Sequence, residues 1–197
     1  MSKCYQVCLT FTEPLLGTVP QNKELYQDFI ASKAPMAVSD EVATVNVAEE
    51  VEKGTTGFHR VDGDPIIYDY VILGFLKDAC GMLRRVEGSL SSKVTAYKKI
   101  IDGLVFVAPR RIPLLVNGKV DVLERPLRAQ TAQGERVALA RSEMVPTGSI
   151  LEFEVQVLDG VSEALLREWF AYGKLRGIGQ WRNASYGRFH YALKVVP

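Results

Sequence analysis

The chain has few of the residues on which metal sites and many catalytic sites depend. Among its 197 residues there are two histidines and three cysteines, and no two cysteines form a Cys-x-x-Cys pair. Zinc sites need closely spaced Cys and His ligands, so this scattered set does not predict one. We expect no metal and no other cofactor, and we expect Cys4, Cys8 and Cys80 to be buried thiols in a reducing compartment.

Several sequence signatures are also missing. The chain has no Walker-type Gly-Lys-Ser/Thr and no Gly-x-Ser-x-Gly elbow. It has no apolar run of the roughly 18 residues that a membrane-spanning helix needs, and Met-Ser-Lys leads directly into a predicted strand without a signal-peptide stretch. We expect a cytoplasmic protein that does not enter a membrane.

Charge is nearly balanced overall but unevenly distributed along the chain. The formal net charge is +1 and 47% of the residues are hydrophobic, which is ordinary for a globular protein. No Asp or Glu occurs from Trp169 to Pro197, whereas that stretch contains several lysines and arginines. Acidic residues gather instead in Ala37–Glu52. A chain with little net charge can still present one basic face.

Hydrophobic periodicity predicts an α+β domain. Apolar residues alternate with polar ones in Ile150–Leu158, which predicts a half-buried strand, while those in Val71–Arg85 form one helical stripe. The C-terminal order is strand, helix (Ser162–Ala171) and strand (Arg188–Val196), which fits one half of a β-α-β-β-α-β unit. Tyr5–Thr12 is the first predicted strand.

The middle of the chain is less regular. We expect one domain over residues 1–197 with a flexible insertion at about 36–64, because this stretch is acidic or rich in turn residues. Asn117-Gly118 predicts a hairpin between Ile112–Val116 and Val120–Leu123. Arg125–Val137 is polar and arginine-rich, and its first half is expected to be a loop.

The segment Leu175–Phe189, LRGIGQWRNASYGRF, carries the strongest functional signal. Glycines let a backbone come close to a ligand, arginines form bidentate contacts with phosphate, and aromatic rings stack on bases. The alternative is a structural turn between a helix and a strand, with the aromatic rings covering the core. The glycines follow a helix and precede a strand, so they do not make a dinucleotide-binding fingerprint.

Together with two other segments, this loop resembles the RAMP superfamily, the RNA-binding proteins of CRISPR effector complexes. GFLKDACGMLRR (Gly74–Arg85) resembles a helix of that family, and ERVALARSEMVPTGSILEFEVQVL (Glu135–Leu158) resembles a run of its backbone subunits. The resemblance implies a ferredoxin-like (RRM-like) antiparallel sheet with helices on one face and an inserted lobe. A CRISPR subunit and a stand-alone or phage-encoded relative both fit it.

The function that these features predict is non-catalytic binding of single-stranded RNA, or of single-stranded DNA, through the phosphate backbone. The RNA would lie on one face of the sheet, and the protein would act as a homo-oligomer or within a multi-subunit complex. The residues predicted to contact nucleic acid are Lys77, Arg85, Arg125, Arg128, Arg176, Gly177, Gly179, Trp181, Arg182, Tyr186, Gly187 and Arg188.

Two other functions also fit the sequence. The resemblance to guide-processing nucleases suggests a metal-independent endoribonuclease in which His59, in a predicted loop, is the acid or base, with Lys53 or Tyr68 as its partner. The second alternative is a relative that binds protein and joins or blocks a larger CRISPR-type or phage assembly.

Overall fold

The computed structural model describes residues 2–21, 55–131 and 134–196, with the side chains of 126–139 also outside the described part. The acidic segment Ala37–Glu52 therefore lies outside the described residues. The strands are β1 (Lys3–Phe11), β2 (Leu15–Leu16), β3 (Val19–Pro20), β4 (Thr55–Gly57), β5 (His59–Val61), β6 (Asp64–Tyr68), β7 (Val105–Ala108), β8 (Arg111–Leu115), β9 (Asp121–Thr131), β10 (Gly134–Val145), β11 (Ile150–Val157) and β12 (Phe189–Val196). The helices are α1 (Asp69–Leu83), α2 (Tyr97–Leu104) and α3 (Glu163–Arg176).

The larger sheet has the strand order β12-β1-β11-β8-β6-β5, and β7 pairs with β11 next to β8. Every neighbouring pair in it is antiparallel. Its first four strands, β12, β1, β11 and β8, are the fourth, first, third and second strands of a β-α-β-β-α-β unit. The two helices of that unit are α1 and α3. The predicted α+β, ferredoxin-like fold is confirmed.

The alternation in β11 decides which face of this sheet is covered. Leu151, Phe153, Val155 and Val157 are buried, and the residues between them are exposed. Because successive side chains of a strand point to opposite faces, one face packs into the core and the other remains open. The covered face meets the apolar stripes of α1 and α3 in one core.

Helix α3 leads to the candidate site, and its start is set by a capping residue. Ser162 precedes the helix, and its Oγ accepts a hydrogen bond from the Leu165 N–H at 3.2 Å. Such a cap satisfies one of the donors that the first helical turn leaves without a partner. Trp169 is fully buried, and its indole N–H donates to Ser91 Oγ at 3.0 Å.

A second sheet of five strands has the order β2-β10-β4-β3, with β9 paired to β10. The prediction of a loop in the first half of Arg125–Val137 is wrong, because the chain there is in β9 and pairs with β10 from Asp121↔Met144 onward. The predicted hairpin at Asn117-Gly118 is also wrong. These residues form a bend, but the strand after it, β9, pairs with β10 and not with β8.

Residues 55–64, the described end of the predicted insertion, form β4, β5 and the beginning of β6. The hairpin of β5 and β6 turns at Asp62 and Gly63, which both have positive φ. Within the described ranges, none of the helices has the length and apolar character needed to cross a membrane.

Candidate nucleic-acid interface

The loop from Gly177 to Arg188 lies at the end of the larger sheet where β1 ends and β12 begins. The Arg188 carbonyl accepts hydrogen bonds from Thr12 N–H at 2.8 Å and Glu13 N–H at 3.3 Å, and Gly187 N–H donates to the Pro14 carbonyl at 2.8 Å. The loop is therefore anchored to the segment that joins the larger sheet to β2. Its outer residues are held on a rigid base.

Gly177 and Gly187 allow two stretches of this loop to cross. Both have positive φ, +71° and +69°. A Cβ on Gly177 would lie 2.6 Å from the Tyr186 carbonyl oxygen, and a Cβ on Gly187 would overlap the Ile178 carbonyl oxygen. Ile178 N–H also donates to the Gly187 carbonyl at 3.0 Å. At these two glycines the absent side chain makes room for protein backbone.

Gly179 and Gln180 connect the loop to the second sheet. A Cβ on Gly179 would lie 2.8 Å from the Leu16 carbonyl oxygen in β2. The Thr56 hydroxyl in β4 lies 3.3 Å from Gln180 Oε1. These contacts fix the loop between the two sheets, so the side chains that follow Gln180 start from a defined position.

Two arginines of this region meet one carboxylate on α1. Arg182 Nη1 lies 2.7 Å from Asp78 Oδ2, and Arg176 Nε lies 3.1 Å from the same oxygen. Arg176 also donates to Asn183 Oδ1 at 2.7 Å. All three charged side chains are about one quarter to one third exposed. Asp78 therefore orients both guanidinium groups but can neutralise only one positive charge.

A third guanidinium reaches the same place from the second sheet. The Arg125 guanidinium carbon lies 5.4 Å from the centre of the Trp181 ring, within the range of a cation–π contact. Trp181 in turn contacts Tyr186 edge to face, with ring centres 6.2 Å apart. Arg125 thus joins the loop to the β9–β10 hairpin.

These side chains surround an open cavity of about 580 Å³, which we call the arginine cavity; its lining residues are Arg125, Arg176, Gly179, Trp181, Arg182, Asn183 and Ala184. Asp78 is the one carboxylate bound to its guanidinium groups among the described residues. Three guanidinium groups against one carboxylate leave an excess of positive charge beside an aromatic ring. Such a cavity can accept phosphate oxygens as charge-assisted hydrogen-bond acceptors.

Other residues predicted for the interface lie elsewhere. Lys77 forms an ion pair with Asp102 of α2. Arg85 comes two residues after the end of α1, about two turns or 10 Å beyond Asp78. Arg188 does not line the cavity, and its Nε is buried with no hydrogen-bond partner among the described residues. Arg128 is in β9, but its side chain is outside the described part.

His59 is in strand β5 and not in the loop that the sequence predicts. It is 4% exposed and contacts the ring of Tyr68 edge to face, with ring centres 4.8 Å apart. Burial lowers the pKa of His59 to about 4, because the charged imidazolium is disfavoured away from water. Tyr68 is fully buried, and Lys53 is outside the described residues. A buried histidine is poorly placed to meet an RNA strand on the surface.

The open face of the larger sheet carries two carboxylates on its central strand. Glu152 and Glu154 project from its central strand β11, and in register they lie beside Cys8 and Gln6 of β1. Carboxylates at the centre of this face repel phosphates. Three guanidinium groups meet at the arginine cavity.

Asp78 and Asn183 are residues of this site that the sequence did not predict, and Asp78 is the more distant of the two along the chain from the arginines that it binds. It lies 98 residues before Arg176 and 104 before Arg182 in the chain. A single aspartate within an amphipathic helix gives no local signal of such pairing. Among the described residues, no group of three or more His, Cys, Asp and Glu side chains is placed to hold a metal ion.

No protein-family model matches the chain, and no curated protein matches it. Among solved structures, it is similar to a chain of the Type III-B Cmr-beta bound to cognate target RNA, determined by cryo-EM, with a TM-score of 0.57 and 10% sequence identity. The match covers 99% of this chain and 61% of that chain, so this chain spans about three fifths of its neighbour's length. At this identity the similarity is one of fold.

Proposed function

We propose that this chain is a RAMP-like RNA-binding domain that holds phosphates of single-stranded RNA in the arginine cavity. The observation that carries the proposal is the excess of three guanidinium groups over one carboxylate around an open cavity of about 580 Å³. Arginine suits this task because its planar fork matches the oxygens of a phosphate. The structural neighbour belongs to an assembly bound to RNA, which agrees with this function.

Recognition in the proposed complex depends on the backbone and not on base sequence. Arg125, Arg176 and Arg182 donate to phosphate oxygens, and the Trp181 ring offers a surface for stacking. Asp78 keeps two of the guanidinium groups in place before RNA arrives, which lowers the entropy lost on binding. The domain then acts as a non-catalytic holder of RNA, either within a larger complex or as a homo-oligomer along the strand.

Fluorescence anisotropy with a labelled single-stranded RNA of mixed sequence tests this proposal. Arg125→Ala and Arg182→Ala, made separately, should each weaken binding at least about tenfold, because each removes charge-assisted hydrogen bonds to phosphate. Arg125 is the cleaner variant, because its described contact is with the Trp181 ring and its loss leaves the Asp78 ion pairs intact. Single-stranded DNA of the same sequence shows whether the 2′-hydroxyl contributes.

Lys194→Ala is the matched control. Lys194 is exposed in β12 and pairs in register with Gln6, on the open face of the sheet. Its removal lowers the net charge by the same amount without touching the cavity, so affinity should change by less than about twofold. Equal losses in all three variants would mean that only net charge matters. Absence of binding to either nucleic acid by the folded protein would reject the function and favour a protein partner.

A further inference from the structure

The two arginines that share Asp78 meet at one place and do not follow a line. Arg182 Nη1 and Arg176 Nε both lie within 3.1 Å of Asp78 Oδ2, so these two nitrogens are at most about 6 Å apart. They come from different elements, because Arg176 ends α3 and Arg182 follows in the loop. Arginines that track a strand each contact a phosphate of their own. Two that converge in this way are suited to bind the several oxygens of one phosphate group.

Both side chains keep N–H groups for a ligand. Arg176 donates from Nε to Asp78 and from Nη1 to Asn183, and Arg182 donates from Nη1 to Asp78. Among the described residues, neither Nη2 forms a hydrogen bond, although a guanidinium has five N–H donors in a planar fork. The two side chains are 27% and 30% exposed. A phosphate in the arginine cavity can therefore accept hydrogen bonds from both groups while Asp78 stays bound to them.

The charge of the cavity matches a phosphate that carries two negative charges. Its lining includes Arg125, Arg176 and Arg182. Asp78 binds the last two, and Arg125 forms no ion pair with another described residue. Three guanidinium groups and one carboxylate thus leave an excess of two positive charges in the described part of the site. A phosphodiester within a strand carries about one negative charge, whereas a phosphate monoester carries about −1.5 to −2 at pH 7.

From these observations we infer that the arginine cavity binds the phosphorylated end of a single-stranded RNA, with the terminal phosphate monoester held by Arg176 and Arg182. The inference rests on the proposed function and names the part of the RNA that the cavity holds. Arg125 supplies the positive charge that balances the second negative charge of the monoester. A 5′-phosphate and a 3′-phosphate have the same chemistry, so separate probes distinguish the two ends.

Fluorescence anisotropy with short RNAs of one sequence, each labelled on an internal nucleotide, tests this inference. The probes have hydroxyl ends, a 5′-phosphate, a 3′-phosphate, or a methyl ester of either phosphate, which keeps the phosphate but removes one negative charge. At least one terminal phosphate should tighten binding about tenfold over the hydroxyl-ended RNA, and its methyl ester should tighten it less than about threefold. A hydroxyl-ended RNA with two more nucleotides has the same total charge as the phosphorylated probe, and its gain should be less than about twofold.

The variants are compared by their preference, the ratio of the affinities for the phosphorylated and the hydroxyl-ended RNA. Arg176→Ala and Arg182→Ala, made separately, should each reduce this preference from about tenfold to about twofold, because each removes one of the two groups that hold the monoester. Lys194→Ala is the matched control, since it removes the same charge from the open face of the sheet, and its preference should equal that of the wild type. Circular dichroism and thermal unfolding show that each variant is folded.

Three outcomes would count against the inference. Equal binding of the hydroxyl-ended RNA and both phosphorylated RNAs overturns it, and the proposed function stands if Arg125→Ala still weakens the binding of all of them. A preference that survives in both Arg176→Ala and Arg182→Ala also overturns it, because the phosphorylated end would then be bound elsewhere. Failure of the wild type to bind any of the probes rejects both proposals.

Discussion

At the scale of single residues, two glycines and His59 have structural roles that cannot be deduced from the residue types alone. Gly187 has positive φ and no space for a Cβ, because the Ile178 carbonyl oxygen occupies that position. Gly88 also has positive φ, +78°, but nothing lies within 4 Å of its missing side chain. Substitution of each glycine by alanine therefore distinguishes the free-energy cost of backbone strain, present at both positions, from that of a steric clash, present only at Gly187.

We expect Gly88→Ala to lower the free energy of unfolding by about 1 kcal/mol, the strain of a left-handed alanine. Gly187→Ala should lower it by at least about 3 kcal/mol, because the backbone must also move away from the new Cβ. Urea unfolding of both variants measures the difference. Equal losses would contradict the close approach at Gly187.

His59 should make stability depend on pH. Its pKa is about 4 in the folded protein against an ordinary value of 6.5. Above pH 6.5 the imidazole is neutral in both states, and between pH 6.5 and about 4 only the unfolded chain gains the proton. The free energy of unfolding should therefore fall as pH falls through this range, by roughly 3 kcal/mol in total. Below that range both states are protonated and the loss stops growing.

Urea unfolding between pH 7.5 and 4 measures this effect, with His190→Gln as the control. His190 is exposed on β12, so its removal should leave the pH dependence in place. His59→Phe should flatten it. An NMR titration that gives His59 an ordinary pKa would contradict the burial on which this prediction depends.

At the scale of elements, local hydrophobic patterns predict the helices and the central strands. The conformation of the less regular segments depends instead on the strands with which they pair. The alternating residues of β11 and the apolar stripe of α1 were sufficient to predict both elements within about two residues. The β9–β10 hairpin was not predictable in the same way. The polar residues from Arg125 onward lack strand periodicity, and pairing with β10 imposes the extended backbone on them.

The cap of α3 gives a prediction for an element. Ser162→Ala should lower the free energy of unfolding by about 1 kcal/mol, because the Leu165 N–H loses its acceptor. Ser162→Asp restores an acceptor and places a negative charge at the helix N-terminus, so it should retain the stability of the wild type. Thermal unfolding of both variants checks this, and an equal loss for Asp and Ala would show that the cap is unimportant.

At the scale of the whole molecule, charge is segregated by position. The open face of the larger sheet carries Glu152 and Glu154 at its centre, whereas three guanidinium groups meet at the end of the sheet. In the part of the chain that the structure describes, a molecule with a net charge of +1 thus concentrates positive charge at this end of the sheet, and the proposed binding of RNA there should depend on salt. If each guanidinium neutralises one phosphate, the logarithm of the binding constant should fall with the logarithm of salt concentration with a slope of about −2.

Anisotropy titrations at several salt concentrations measure this slope. Arg125→Ala should make it shallower by about 0.7, because one phosphate contact is lost. Lys194→Ala should leave the slope unchanged. A slope near zero in the wild type would mean that phosphates do not provide the binding energy.

The sequence by itself determined the fold class, because the apolar periods of strands and helices are local and each must bury one face. It also placed the basic residues and Trp181 together in one loop, since they are neighbours in the chain. Only the tertiary structure decided which of them act together. Asp78 forms an ion pair with Arg182, and Arg125 contacts the Trp181 ring, although each pair lies on separate elements. Lys77 forms an ion pair with Asp102, and His59 is buried against Tyr68. Charge pairing and burial depend on how separate elements pack, and no local pattern records that packing.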